Sequence, residues 1–390
     1  MSEPQKLTLA FLALLMTGGV AHAAPQGRLA YLRGQVPWLE SHVGAAPRPL
    51  PHQGDVYQLA VSATTGDVAY LEALGGRHGP ELPAMRGVRL KAPYTTPRLL
   101  GAAWNGVRPD WLRWSDDGQT LRSANWNGRP LVWTRPGARA APWPSASTSR
   151  DGRVVARSTA SGVSYALGSA EARVAFTPGR PATLLAAVRR LRAAEGNAAL
   201  RSYDPVLARD ARNWAWSVPA VSPDGQAVYF AANLGQGDAD LHNNFDFLLF
   251  RLAPRDGGLL ALGKVGTQYG ARPELRVSPD GRRLLLVQTL FVSAARQPVT
   301  VTAVDLATQT TRDLTSTDVK GGDLNTLQGY CWLADGRHVA YSVAYFRGED
   351  LVGDRPDEEP RQSTLYVKDT LSGRTVRTIP GATQPGCGPR

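Results

Sequence analysis

The stretch that decides the fold is Val221-Ser222-Pro223-Asp224-Gly225, followed directly by the run Gln226-Ala227-Val228-Tyr229-Phe230. Proline presets φ at the second position of a tight turn, aspartate hydrogen-bonds to nearby backbone, and glycine accepts positive φ. The run that follows is short and rich in β-formers, so the stretch predicts a β-hairpin in which Gly225 has positive φ. Because the run is apolar on both faces, we expect a strand that is covered by a neighbouring sheet on each side.

The same construction returns twice further along the chain. Residues 277–281 repeat Val-Ser-Pro-Asp-Gly, and residues 332–336 read Trp-Leu-Ala-Asp-Gly, each before another apolar run. The second copy predicts the same positive φ at Gly281. The aspartates of the first two copies are 56 residues apart, and the third aspartate follows after a further 55. A fixed period of this size indicates an array of one repeated supersecondary unit.

Weaker copies precede these three, at residues 63–67, 114–118 and 148–152. Taken together, the copies resemble the TolB-type (WD-like) β-propeller repeat, whose signature is roughly Pro-x-Trp-Ser-Pro-Asp-Gly before an apolar strand. Pro219 and residues 222–225 match this signature with Val221 in the tryptophan position, which Trp114 and Trp332 fill in their own copies. The resemblance implies an all-β propeller of four-stranded antiparallel blades. It implies little about activity, because propellers host unrelated functions.

The number of blades depends on how the two ends of the chain are placed. Residues 28–32 and 36–40 read as short strands, and residues 47–50 resemble the outer strand of a repeat, so the chain begins inside a blade. We predict seven blades if this fragment forms its own blade. The alternatives are six, if it only completes the last blade, and eight, if residues 181–210 hide another. Within that region, residues 181–203 show helical spacing and predict either an inserted amphipathic helix or the irregular outer strands of a decayed blade.

Residues 1–23 have the pattern of a signal peptide. Lys6 precedes an apolar stretch over residues 7–16, and residues 21–23 read Ala-His-Ala, a small-x-small cleavage site. The sequence therefore predicts an exported protein, found in the periplasm, the cell envelope or outside the cell, with residues 24–390 as a single propeller domain. No second apolar run exists, so we do not expect the chain to span a membrane.

The formal net charge of the 390-residue chain is +11. The arginines that cause it are scattered along the chain, and no nucleic-acid-binding motif accompanies them. We therefore expect a protein or cell-envelope polymer as the partner, and no nucleic acid.

Candidate binding residues fall into an aromatic set and an acidic set. The aromatic set lies in or near turns and comprises Trp104, Trp126 and Trp143. The acidic set lies on two extended connections and comprises Asp238, Asp240, His242, Asp350 and Asp354. In a radial array equivalent loops leave on the same rim, so we expect these connections to lie close together.

A metal site is a weaker candidate on the same acidic connection. Asp238, Asp240 and Asp246 offer alternating oxygen ligands of the kind that Ca²⁺ takes, but the glycine and glutamate of a calcium-binding EF-hand loop are absent. A solvated loop is favoured over a calcium site, and no other cofactor is predicted.

The two cysteines, Cys331 and Cys387, are predicted to form a disulfide, since an exported chain with a cysteine pair favours one. Cys331 precedes the last Asp-Gly turn, whereas Cys387 lies in a Gly/Pro-rich stretch that is expected to be a tail with little else to hold it.

Two functions are consistent with these features. The first is a non-catalytic binding or scaffold propeller, since the sequence contains no Gly-x-Ser-x-Gly elbow, no His-Glu-x-x-His pair, no phosphate-binding Gly-Lys-Ser/Thr loop and no Cys-x-x-Cys pair. The second is a propeller enzyme of lactonase, lyase or glycosidase type, with single polar residues around the central channel. Such a site leaves no linear motif, so we expect no catalytic residue to be recognisable from sequence.

Overall fold

The structure is a computed structural model. It describes residues 24–74, 85–100, 109–125, 132–137, 146–160, 162–176, 184, 186–190, 215–233, 247–265, 273–289, 299–315, 324–346 and 362–389.

The described strands form seven small antiparallel sheets arranged as a seven-bladed β-propeller, as predicted. Blade 1 contains β1 (Arg28–Arg33), β2 (Val36–Glu40) and β3 (Arg48–Pro49), and blade 2 contains β4 (Val56–Val61), β5 (Val68–Ala73), β6 (Met85–Leu90) and β7 (Arg98–Leu99). Blade 3 contains β8 (Pro109–Trp114), β9 (Thr120–Asn125) and β10 (Val132–Thr134), and blade 4 contains β11 (Ala146–Thr148), β12 (Val154–Thr159), β13 (Gly162–Leu167) and β14 (Arg173–Phe176).

The remaining strands complete the ring. Blade 5 contains β15 (Ala215–Trp216), β16 (Ala220–Val221), β17 (Val228–Asn233), β18 (Phe247–Leu252) and β19 (Leu259–Val265). Blade 6 contains β20 (Glu274–Val277), β21 (Arg283–Thr289), β22 (Val299–Asp305) and β23 (Thr311–Asp313). Blade 7 contains β24 (Leu324–Trp332), β25 (His338–Phe346), β26 (Gln362–Asp369) and β27 (Thr375–Pro380), and the last strand of the chain is β28 (Ala382–Gly388).

The Ser-Pro-Asp-Gly stretch of blade 5 forms the tight turn between β16 and β17. Ser222 Oγ donates to Asp224 Oδ1 at 2.6 Å and accepts the backbone N–H of Ala227 at 2.9 Å. Gly225 closes the turn with its N–H on the Ser222 carbonyl and has a φ of +70°. The equivalent Gly281 has a φ of +73°, so both positive φ values agree with the prediction. The same serine-to-aspartate hydrogen bond recurs in three further blades, from Ser115, Ser149 and Ser278.

Strand β17 of blade 5 is buried on both faces, as its composition predicts. Val228 and Phe230 pack toward blade 4, and the Phe230 ring stacks on Phe250 with centroids 5.3 Å apart. The alternate residues Tyr229 and Ala231 pack toward blade 6. Because successive side chains of a strand point to opposite faces, one strand contributes to two interblade cores.

The ring is closed by β28, which pairs antiparallel with β1 and is the innermost strand of blade 1. The N-terminal fragment is therefore its own blade. The expectation of a weakly held C-terminal tail is wrong, because Cys387 lies opposite Leu29 in this pairing and is buried. Glycine at position 386 allows β28 to pack closely against β4, since a Cβ added to Gly386 would lie 2.5 Å from a side-chain carbon of Val61.

Part of the region 181–203 is described, at residue 184 and at residues 186–190, and these residues are helical. Leu184 and Val188 are fully buried in the core between blades 4 and 5, whereas Arg189 and Arg190 are exposed. Arg190 Nη2 donates to the carbonyl of Leu259 at 2.7 Å. Within the described part of the chain, no helix combines the length and the apolar character needed to cross a membrane.

Candidate binding site in the central channel

The innermost strands of the seven blades surround a central cavity of about 670 Å³. These strands are β4, β8, β11, β16, β20, β24 and β28. Inner strands of a propeller run in the same direction along the axis, so their Asp-Gly turns lie together at one end of the channel. A side chain can therefore be placed along the channel by its distance in sequence from its own turn.

Two ion pairs cross the channel between blade 3 and blade 6. Arg113 Nη1 lies 3.0 Å from Glu274 Oε2, and Arg276 Nη1 lies 3.3 Å from Asp116 Oδ1. Blades 4 and 5 separate these two blades on one side of the ring, and blades 7, 1 and 2 separate them on the other. The pairs therefore span the lumen rather than joining neighbouring sheets.

The order of the charges follows from the repeat. Arg113 and Arg276 each lie two residues before the serine of their own turn, so the two guanidinium groups stand at the same level of the channel. Glu274 lies two residues before Arg276 and on the same face of β20, further from the turns. Asp116 lies within the blade 3 turn, so it is nearer the turn end of the channel than the two arginines, whereas Glu274 is further from that end. The two ion pairs are therefore stacked along the channel axis.

Tyr330 of blade 7 adds a hydrogen bond to the Arg113–Glu274 pair. The Tyr330 hydroxyl donates to Glu274 Oε2 at 2.5 Å. Two residues further along β24, the Trp332 indole donates from Nε1 to the Arg276 carbonyl at 2.9 Å. An irregularity of β24 between Leu327 and Tyr330 interrupts the pairing with β25 at this point. Such irregularities re-aim side chains, which is how Tyr330 reaches the lumen.

These contacts shift the pKa of the carboxylate and of the phenol in opposite directions. Burial raises the pKa of Glu274, but Arg113, Arg276 and the Tyr330 hydroxyl outweigh it and lower the pKa to about 2. Burial and then the charge of Glu274 raise the pKa of Tyr330. At neutral pH the site therefore contains an ionised glutamate and a protonated tyrosine.

Asp116 is held by the neighbouring blade as well as by Arg276. Its Oδ2 accepts the Ser147 hydroxyl at 2.5 Å and the Thr148 N–H at 3.2 Å. Ser147 Oγ in turn accepts the backbone N–H of Val221 in blade 5 at 3.0 Å. Asp116 occupies the position that proline fills in blades 5 and 6, and it joins the inner strands of three consecutive blades.

The disulfide lies on the wall of the same channel. Cys331 on β24 and Cys387 on β28 are bonded, with Cα atoms 5.6 Å apart, and both residues line the cavity. The bond links the innermost strand of blade 7 to that of blade 1, where the ring closes.

The candidate site residues proposed from sequence all lie outside the described residues. These are Trp104, Trp126, Trp143, Asp238, Asp240, His242, Asp246, Asp350 and Asp354. The structure therefore does not test whether the extended connections lie close together. Among the described residues, no group of three or more His, Cys, Asp or Glu side chains could hold a metal ion.

Sequence reasoning missed the five channel residues, which are Arg113, Asp116, Glu274, Arg276 and Tyr330. The signal was present in the repeat itself. When the inner strands are aligned on the serine of each turn, blades 3 and 6 carry an arginine where blade 5 has Ala220. Both arginines line the channel.

Comparison with known proteins gives structural neighbours only. No protein-family model and no curated protein matches the chain. Similar solved structures include a protein from Lactobacillus plantarum, 14% identical with a TM-score of 0.42, covering 93% of this chain and 98% of that one. The periplasmic gluconolactonase of Pseudomonas aeruginosa is 16% identical with a TM-score of 0.42, covering 92% and 96%. A functionally unknown protein from Desulfotomaculum acetoxidans is 12% identical with a TM-score of 0.43, covering 94% and 100%.

Proposed function

We propose that this chain is an exported, non-catalytic binding propeller whose central channel takes a polar ligand of protein or cell-envelope origin. The observation that carries the proposal is the meeting of two arginines, the Asp116 carboxylate and a tyrosine hydroxyl on the wall of one channel, with Glu274 paired to Arg113 and Tyr330. A concave site of several hundred cubic ångströms with a few convergent polar groups is the usual form of a ligand-binding site. The exported location is supported by the pattern of residues 1–23.

The protonation states of the channel groups favour binding over catalysis. A general base works best when its pKa is near the working pH, and the pKa of Glu274, about 2, is far below neutral. The raised pKa of Tyr330 keeps its hydroxyl protonated, which suits it to donating a hydrogen bond. The Asp116 carboxylate is fixed by Ser147 and Thr148. An ionised Glu274, a protonated Tyr330 and a carboxylate held in place by hydrogen bonds suit the recognition of a polar ligand.

The test compares retention of a partner with turnover. The chain from residue 24 onward is incubated with a cell-envelope extract, washed, and the retained molecules are identified by mass spectrometry. Glu274→Gln removes one of the four charges in the two ion pairs, and Glu171→Gln removes an exposed charge ahead of β14 as the matched control. We expect Glu274→Gln to lose the retained molecule and Glu171→Gln to keep it, with no turnover in a screen of lactones and glycosides.

Two results contradict the proposal. Equal retention by both variants places the binding site outside the channel. Turnover of a lactone or glycoside by the unmodified chain, lost in Glu274→Gln, replaces the binding function by the enzyme alternative.

A further inference from the structure

We infer that the propeller attaches peripherally to a membrane surface rich in anionic phospholipid headgroups, through a basic patch on blades 1 and 2. This patch, the basic rim, is at the end of the ring where the Asp-Gly turns lie and comprises Arg28, Arg48, Lys91 and Arg98. All four residues lie outside the lining of the channel, so the inference does not depend on a channel ligand.

The basic rim is built from one connection of blade 2 and from the strands of blade 1 beside it. Tyr94 lies between β6 and β7, where its N–H donates to the Lys91 carbonyl. In an antiparallel blade, the connection between the third and fourth strands leaves at the same end as the turn between the first and second. Arg28 Nη1 donates to the Tyr94 hydroxyl at 3.1 Å, and Arg48 Nη2 donates to the Pro93 carbonyl at 3.0 Å. Blade 1 therefore places two guanidinium groups against this connection.

The connection is anchored by Tyr94, which is buried although its neighbours are exposed. Its hydroxyl donates to the Gly66 carbonyl at 2.8 Å. The guanidinium carbons of Arg28 and Arg48 lie 5.7 and 5.9 Å from the centroid of the Tyr94 ring, which places them for cation–π contact. Because these groups are already ordered, binding an anionic surface costs little further conformational entropy.

The charges of the basic rim are not balanced by acidic side chains. Residues 82–109 contain five cationic residues and no acidic one. Of the five, Arg86 pairs with Glu72. Arg89 pairs with Asp67. Within the described part of the chain, no carboxylate forms an ion pair with any member of the basic rim, and the two arginines from blade 1 donate hydrogen bonds only to uncharged groups. The basic rim therefore attracts anions.

Exposed apolar side chains beside the basic rim favour a lipid surface over an acidic polymer. Leu99 is 64% exposed and follows Arg98 directly. It pairs with Val88, which packs into the core between blades 1 and 2, so Leu99 is on the side of β7 that faces blade 1. Pro93 and Pro97 are exposed on the same connection. Cations beside exposed apolar groups are typical of segments that lie among lipid headgroups, where phosphates meet the cations and the acyl boundary takes the apolar groups. An acidic polymer would contact the cations alone.

The experiment is co-sedimentation of the chain from residue 24 onward with lipid vesicles. Vesicles of phosphatidylcholine alone are compared with vesicles of equal parts phosphatidylcholine and phosphatidylglycerol, at low and at high salt. We expect binding to the anionic vesicles only. The binding should weaken as salt is added, because screening limits the reach of exposed charges to about 10 Å at 0.1 M.

The variants locate the contact at the basic rim. Arg48→Gln with Arg98→Gln should weaken binding to the anionic vesicles by about 25-fold, since each basic side chain near such a surface contributes about fivefold. Arg33→Gln with Arg157→Gln is the matched control, because it removes two exposed charges from second strands, toward the opposite end of the ring, and should bind as the unmodified chain does. If circular dichroism shows that the rim variant does not fold, Lys91→Gln with Arg98→Gln replaces it.

Leu99→Ser tests the apolar part of the contact. The variant should bind the anionic vesicles roughly fivefold more weakly, because a largely exposed leucine no longer enters the headgroup layer. Its salt dependence should match that of the unmodified chain, since no charge has changed. Unaltered binding by Leu99→Ser contradicts the lipid assignment.

Equal binding to both kinds of vesicle overturns the inference, and so does equal binding by the rim variant and its matched control. Polyglutamate that displaces the chain from anionic vesicles shows that the basic rim takes acidic polymers instead of lipid. Displacement by soluble glycerol phosphate shows a pocket for a single headgroup and refutes the surface contact. None of these outcomes bears on the channel ligand, whose test uses Glu274→Gln.

Discussion

Breaking the Cys331–Cys387 disulfide is expected to remove a large part of the stability of the ring. The bond joins residues 56 apart in sequence and links β24 to β28, the strand that completes blade 1. In the chain-entropy description, a cross-link that closes a loop of this length destabilises the unfolded state by roughly 4 kcal/mol. Reduction leaves both side chains in place, so it isolates the cross-link from any loss of packing around the buried Cys387.

The assay is equilibrium unfolding in urea, followed by tryptophan fluorescence and by far-UV circular dichroism, with and without reductant. For urea dependences of about 3 kcal/mol per molar, a loss of roughly 4 kcal/mol lowers the unfolding midpoint by about 1 M. The double variant Cys331→Ala with Cys387→Ala serves as the control, since reductant should leave its midpoint unchanged. The reasoning is refuted if the oxidised and reduced chains unfold at the same urea concentration, or if the denatured, non-reduced chain titrates with two free thiols.

Three further outcomes follow from the turns and from the shifted pKa values. Gly225→Val should destabilise the chain by about 1–3 kcal/mol, because the residue has positive φ and its Cβ would lie 2.8 Å from a carbon of Val154. Gly281→Val should cost less, because its nearest contact would be 4.0 Å away; equal thermal shifts would contradict this ranking. Glu274 has a folded pKa below its ordinary 4.5, so its contribution is present above pH 4.5 and is lost as the pH falls toward 2. In Glu274→Gln the free energy of unfolding should fall less between pH 4.5 and pH 2 than it does in the unmodified chain. An unchanged pH dependence would count against the ion pair. Burial and then the charge of Glu40 raise the pKa of Tyr31 to about 12, so its contribution is present below pH 10 and is lost as the pH rises toward 12. Tyr31→Phe should weaken that alkaline loss, measured by urea unfolding at each pH.

The repeated turn could be predicted from the sequence because its interactions are local. The hydrogen bonds of the turn join Ser222, Asp224, Gly225 and Ala227, which are within five residues of one another. The apolar run that follows has to be buried on both faces whatever the rest of the fold is. Repetition of that unit at a period of about 56 residues predicted an array of one supersecondary unit, and the resemblance of the unit to the TolB-type repeat implied a propeller.

The number of blades and the channel site depended on contacts that no local pattern contains. The Gly/Pro-rich residues of β28 resemble a tail, and their strand conformation comes from pairing with β1 at the far end of the chain. Arg113 and Glu274 are separated by 161 residues and come together only when the ring closes and places blade 3 opposite blade 6. The sequence by itself thus determined the repeating unit, because a turn and a two-faced strand are stabilised by near neighbours. Only the tertiary structure decided the closure of the ring and the charges that meet in its channel, because both arise from long-range pairing that depends on the positions of all seven blades.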